Sequence, residues 1–277
     1  MRKILIVSLI LWVLFLKLSE AAVTPRYISL APSTTEILFV LGLDKEIVGV
    51  SSYCDYPPEA AKKEKAGSFS QPNIEKILSL RPDHIFCTGL EQANLVRQLR
   101  KLNLNVFVAD PQNLEQLYAS IAEIGLITGR RKEAENTIMK MKQDIKEVSL
   151  KVSSIPKEKR LKVFFEVWHD PLMTAGKGSL IDEMITVAGG VNIASDINRP
   201  YSIFSAEEVI KRDPDCIILS YMDKKNPIDS VGQRFGWATI KAVKNKRIYN
   251  NIDQGLLLHP GPRTSEGIKE IYKRLYQ

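Results

Sequence analysis

The chain has 277 residues, of which 39 are Lys or Arg and 32 are Asp or Glu, giving a formal charge of +7. That length leaves room for two domains that each bury a core. The basic excess is dispersed, and acids and bases alternate across residues 130–151, so the clustered footprint of a nucleic-acid binder is excluded.

Arg2 and Lys3 precede an apolar run from Ile4 to Leu16, and Ser19-Glu-Ala-Ala22 follows it. This is the layout of a cleavable signal peptide over residues 1–22, with small residues for the peptidase at Ala21 and Ala22. The run is shorter than the roughly 20 residues a membrane span needs. No cysteine lies near that site to carry a lipid, so a free periplasmic protein is expected.

The fold expected for the remainder is α/β, two doubly wound lobes joined by one long helix. The first lobe is assigned to residues 23–128. Tyr27 to Leu30, Ile47 to Val50, His84 to Cys87 and Val106 to Val108 are short apolar runs suited to a parallel sheet buried on both faces. Ser33-Thr-Thr-Glu36 has capping-box spacing, Asn73 is placed to cap Ile74 to Leu80, and Leu90 to Leu102 has helical periodicity. Residues 129–155 form the bridge. From Arg130 to Ser153 there is neither Gly nor Pro, which predicts a stiff strut and lobes that open and close little.

The second lobe is assigned to residues 156–277, and it repeats the first. Asn73-Ile-Glu-Lys-Ile-Leu-Ser-Leu-Arg-Pro-Asp-His-Ile-Phe-Cys87 is echoed by Ser205-Ala-Glu-Glu-Val-Ile-Lys-Arg-Asp-Pro-Asp-Cys-Ile-Ile-Leu219. Each copy reads as a cap, a short helix, a Pro-Asp turn and a strand. Two similar lobes imply a cleft between them, with ligands outside the carboxyl ends of the strands. Three cysteines cannot all pair with one another. A Cys54 to Cys87 disulfide is left open, on the expectation that both follow neighbouring strands.

Tyr27-Ile-Ser-Leu-Ala-Pro-Ser-Thr-Thr-Glu-Ile-Leu38, Ser51-Ser-Tyr-Cys-Asp-Tyr-Pro-Pro58, Pro171-Leu-Met-Thr-Ala-Gly176, Ala188-Gly-Gly-Val-Asn192 and Pro260-Gly-Pro-Arg263 occur in that order. Together they resemble the helical-backbone periplasmic binding proteins of ABC importers, and within these the cobalamin-binding members. The resemblance implies a binding protein, not an enzyme, with no cofactor of its own and cobalamin or a related corrinoid as its transported ligand. It implies a monomer that delivers its ligand to an inner-membrane permease and ATPase complex.

By motif position, the resemblance places Tyr53, Phe69, Tyr201 and the loop Asp253, Gln254, Gly255, Leu256 and Leu257 at the ligand. Trp168 is added because it ends the second lobe's first strand. Phe69 and Tyr201 stand where the family can carry larger indoles, and Gly255-Leu-Leu-Leu258 replaces a loop that can be charged and aromatic. Glu75 and Glu207, one per lobe, match the glutamates that meet permease arginines in this family. Both also sit where a carboxylate favours a helix N-terminus.

An iron-siderophore or haem binder on the same scaffold is the alternative, and Arg199 or Arg263 reaching the cleft would favour an anionic siderophore. A chelatase-type enzyme would need His84 or His169 to converge with a carboxylate, while His169 and His259 are placed in loops near the cleft. The three histidines have no metal-ligand spacing. Ala175-Gly-Lys-Gly-Ser179 lacks the order of a phosphate loop and is read as a turn into a capped helix.

Overall fold

Short apolar segments of the first lobe form strands, the central ones buried and the edge strand Val106–Val108 half-buried. β1 (Tyr27–Ser29), β2 (Ile47–Val50), β3 (His84–Cys87) and β4 (Val106–Val108) make a parallel sheet in the order β2-β1-β3-β4. Tyr27 pairs with both Ile47 and His84, so the chain reverses its direction of winding between β1 and β3. The computed structural model describes residues 24–221 and 228–277. The expected signal peptide lies outside the described residues.

The second sheet differs from the parallel expectation. β5 (Lys162–His169) pairs antiparallel with β6 (Leu172–Ala175), which pairs antiparallel with β8 (Tyr201–Ile203). β7 (Val191–Asn192), β9 (Cys216–Leu219) and β10 (Ile248–Tyr249) complete a sheet ordered β10-β9-β5-β6-β8, with β7 paired to β5. The two residues between β5 and β6 are Asp170 and Pro171, too few for a crossover helix, so the chain folds back as a hairpin.

The internal repeat is physical down to single hydrogen bonds. Asn73 caps helix α2 (Ile74–Ser79) and Ser205 caps helix α7 (Ala206–Arg212), each side chain accepting from the backbone three residues on. Arg81 (φ 45°) and Asp213 (φ 48°) then turn the chain through the left-handed region. Asp83 accepts from the Arg26 N–H and returns its own N–H to the Arg26 carbonyl; Asp215 does the same with Lys162. Each Pro-Asp pair thus ties the start of one strand to the start of the next.

Two expectations at the first lobe's helices and cysteines are corrected. Helix α1 (Pro32–Val40) begins two residues earlier than a capping box at Ser33 would require, with Pro32 in its first turn and Ala31 as an N-cap that makes no side-chain hydrogen bond. Glu36 is therefore free to leave its own helix. Cys54, Cys87 and Cys216 are all free and buried. β1 separates β2 from β3, and Cys54 is occupied by Thr35 Oγ1 at 3.1 Å and Ser51 Oγ at 3.2 Å.

Helix α5 (Arg131–Ser153) holds the lobes together. Ala134, Met141, Val148 and Val152 form its buried stripe, while Lys and Glu fill the opposite face. It packs on helix α4 (Leu114–Ile127) of the first lobe and helix α9 (Thr264–Tyr276) of the second. One continuous apolar cluster runs from Tyr27 and Phe86 through Met141 and Val148 to Phe165 and Leu275. The stiffness expected of a single helix is thus reinforced by a shared core.

Polar ties add to this. The Leu114 N–H donates to Glu183 Oε2 (2.8 Å) on helix α6 (Leu180–Val187), and Lys269 Nζ meets Asp144 Oδ1 at 2.5 Å. Glu36, buried on α1, receives Arg263 Nε at 2.8 Å and Nη2 at 2.9 Å, with His259 Nδ1 at 3.1 Å. Arg263 also lies 3.6 Å over the Tyr56 ring.

Removing one partner of such a pair strands the other, whereas removing both need not. Arg263→Ala is expected to lower the unfolding free energy by about 3 kcal/mol, and Glu36→Leu with Arg263→Met by clearly less. Urea denaturation of the two variants checks this. A double variant that is the less stable of the two would show that Glu36 is not stranded in the single one.

Candidate functional site

The interlobe cleft is assembled from loops that leave the strand ends. Tyr53 follows β2 and is 56% exposed. Phe69, half-buried, stands at the tip of a turn that Gly67 makes feasible: its φ is 104°, and a Cβ there would meet the Asn73 nitrogen at 2.5 Å. Trp168 and Tyr201 rise from the second lobe, 36% and 47% exposed. Large aromatic surfaces left in the open on loops and strand ends, while Phe86, Phe164 and Phe165 are fully buried, are surfaces the core does not use.

The lobes face each other here. Burial, then the nearby carboxylates of Asp110 and Glu91, hold the Tyr201 phenol above its ordinary pKa. Asp110 is itself raised, by burial and then by Glu91. Asp110 follows β4 and its carboxylate lies against Gly89, so a side chain at 89 would collide with it.

The loop Asp253 to Leu257 is a short helix, α8 (Gln254–Leu258), whose N-terminus Asp253 caps through the Gly255 N–H at 2.8 Å. Only part of it faces outward. Leu257 belongs to the core, and Gly255 is buried where a Cβ would stand 2.5 Å from Arg263 Nη2. Asp253 is exposed but already paired with Arg263 Nη1 at 3.0 Å; Gln254 and Leu256 are half-buried. His259, expected beside the cleft, is engaged with Glu36.

The second-lobe wall contains a network that sequence reasoning missed. Glu166 is fully buried in β5 and receives Arg234 through Nη1 at 2.8 Å and Nη2 at 2.7 Å. The Tyr221 hydroxyl donates to the same carboxylate, and burial, then Glu166, pushes its pKa up. His169 meets the Tyr221 ring edge-on at 5.5 Å, and Trp168 lies 5.2 Å from His169 with its indole N–H donated to the Asp170 carbonyl at 2.8 Å. The available signal was a lone carboxylate within Val163-Phe-Phe-Glu-Val-Trp168, since a charge in a buried strand demands a partner.

His84 opens β3 in the first lobe and His169 ends β5 in the second, so the two are not brought together. Among the described residues no group of three His, Cys, Asp or Glu side chains is arranged to hold a metal ion. Ser179 caps α6 through the Asp182 N–H at 3.1 Å, which accounts for the glycine-rich turn before it. Glu75 and Glu207 lie on the surface at matching places on α2 and α7, and neither forms an ion pair among the described residues, whereas the adjacent Glu208 binds Arg212 at 2.8 Å.

Comparisons with known proteins agree with this architecture. Residues 28–252 match the periplasmic binding protein family. An ABC transporter substrate-binding lipoprotein of Bacillus subtilis (strain 168) is 34% identical, over 91% of this chain and 80% of its own. A vitamin B12-binding protein of Salmonella paratyphi A is also 34% identical, over 71% of this chain and 72% of its own. The periplasmic heme-binding protein RhuT from Roseiflexus sp. RS-1 superposes with a TM-score of 0.81 at 27% identity, covering 91% of this chain and 98% of that one. Two α/β lobes on a single bridging helix, matched over nearly the whole of both sheets, make the chain a member of the periplasmic binding protein family.

Proposed function

We propose that the protein is the extracytoplasmic substrate-binding component of an ABC importer and that it carries a corrinoid, cobalamin or a close precursor. The observation that carries the choice of ligand is the charge of the cleft. Of the two cations that would favour an anionic siderophore, Arg263 is consumed by Glu36 and Asp253, while Arg199 is exposed two residues before Tyr201 and forms no ion pair among the described residues. Asp110 and Glu91 of the first lobe lie near enough to Tyr201 of the second to raise its pKa. Acids there disfavour a ligand with peripheral carboxylates and suit one fringed with neutral amides, which can donate to them. Exposed aromatic faces supply the area that a large flat ligand needs.

Haem is the second reading, because a heme-binding protein superposes on the chain over nearly its full length. The protein's role is to bind and deliver, with the leader at residues 1–22 directing export. It works as a monomer, and its partners are a membrane permease with its ATPase. Glu75 and Glu207 stand one on each lobe, exposed and unpaired among the described residues, and are available to permease arginines.

Purified protein is to be titrated with cyanocobalamin, cobinamide, haemin and a ferric hydroxamate, followed by calorimetry and visible absorbance. Saturable binding of a corrinoid is expected; binding of haemin or the ferric complex alone would overturn the ligand while leaving the family intact. Tyr53→Ala and Tyr201→Ala should each weaken corrinoid binding about tenfold, or roughly 1.4 kcal/mol. Glu75→Arg combined with Glu207→Arg should abolish uptake in cells while leaving binding of the corrinoid unchanged. Uptake at the wild-type rate by that variant would remove the docking role.

A further inference from the structure

We propose that Gln92 is a positioning residue for the ligand cleft, setting the place of Phe69 and so the shape of the first lobe's wall. The inference rests on the reading of the cleft as the ligand site. Gln92 closes a short turn (Leu90–Gln92) and is only 2% exposed, yet it belongs to no sheet or core cluster. Its Oε1 accepts from the Thr88 N–H at 2.9 Å, and its Nε2 donates to the Leu30 carbonyl at 2.9 Å and to the Phe69 carbonyl at 3.0 Å. The orientation of the amide is fixed by chemistry: turned over, it would set its oxygen against two carbonyls and its NH2 against an N–H.

The three partners explain why this side chain matters. Leu30 directly follows β1 and Thr88 directly follows β3, the adjacent strands between which the sheet reverses its winding. A crevice forms where the chain leaves such strands in opposite directions, and ligands of open α/β sheets lie outside it. Gln92 fills that crevice and spends its remaining donor on the Phe69 loop.

The loop has few other restraints. Its base is held by Ser52 N–H to the Gly67 carbonyl (2.9 Å) and Asn73 N–H to the Ala66 carbonyl (2.8 Å). Within it, the Gln71 N–H donates to Ser68 Oγ (3.0 Å) and the Ser68 N–H to the Gln71 carbonyl (3.1 Å), bonds that shape the turn without fixing where it points. The bond at Phe69 itself comes from Gln92, 23 residues away in the chain. With Leu30 and Thr88 alone, one N–H of this buried amide would lack an acceptor, and the Phe69 carbonyl supplies it.

Coupling between the two residues decides the matter, because a purely structural glutamine would weaken the protein without acting through Phe69. Affinity for cyanocobalamin is to be measured for the wild type, Gln92→Met, Phe69→Ala and the double variant, each checked for folding by urea denaturation. Gln92→Met should weaken binding about tenfold alone and less than twofold when Phe69 is already Ala. Equal effects in both backgrounds, or no effect in either, would overturn the proposal.

A second reading needs no ligand and so separates failure of the proposal from failure of the corrinoid assignment. In a Phe69→Trp protein, adding Gln92→Met should increase acrylamide quenching of the new indole, taken as the difference from proteins with Phe at 69. Unchanged quenching would overturn the proposal whatever the cleft binds. If Gln92→Met does not fold, Gln92→Glu replaces it, keeping the acceptor for Thr88 while losing both donors.

Discussion

The shared interior of the two lobes is the constraint on which the rest of the structure depends. Helix Arg131–Ser153 contributes one apolar stripe to a core that neither lobe completes alone, and Glu36 crosses from the first lobe to Arg263 of the second. Separating the lobes would expose part of that core and strand a buried carboxylate. The cleft is therefore largely formed before any ligand arrives, and ordering it on binding costs less than closing two freely hinged lobes.

Much of the fold was legible in the sequence because it depends on short-range chemistry. The two Asn/Ser-capped helices followed by Pro-Asp turns are visible as residues, and the structure shows why both members are needed: Pro ends the helix and Asp binds back to the neighbouring strand of the sheet. The bridging helix was legible from an absence of Gly and Pro over more than twenty residues. The antiparallel hairpin of the second lobe was not, since Val163-Phe-Phe-Glu-Val-Trp168 is apolar enough to pass for a strand covered on both faces by helices. Only the length of its connection, two residues, carried the information.

The site was less legible, and for a single reason: its polar groups find partners far away in the chain. Glu36 has local spacing that suits a capping box, but Pro32 starts the helix and Glu36 pairs 227 residues away. Sequence spacing assigned Cys54 and Cys87 to neighbouring strands, and the position of β1 between β2 and β3 separates them. Leu257 and Gly255 lie in a motif that matches the family's ligand loop, yet the short helix from Gln254 buries both. Gln92 offers no sequence signal at all. A glutamine at the start of a helical segment reads as surface, and its burial follows only from the convergence of β1, β3 and the Phe69 turn.

A preformed cleft also bears on delivery. A protein whose lobes part easily can release its ligand by opening, whereas one with a continuous core needs work done on it from outside. Charges placed on a single lobe would orient the protein on a permease without straining it. Glu75 and Glu207 occupy equivalent helix starts on opposite lobes, because the repeat that built the fold duplicated the position along with the cap and the Pro-Asp turn. On the proposed reading, a permease holding both carboxylates would act on the two lobes at once. Its differential affinity for the parted state is then the quantity that must exceed the cost of disturbing the core along Met141 and Val148.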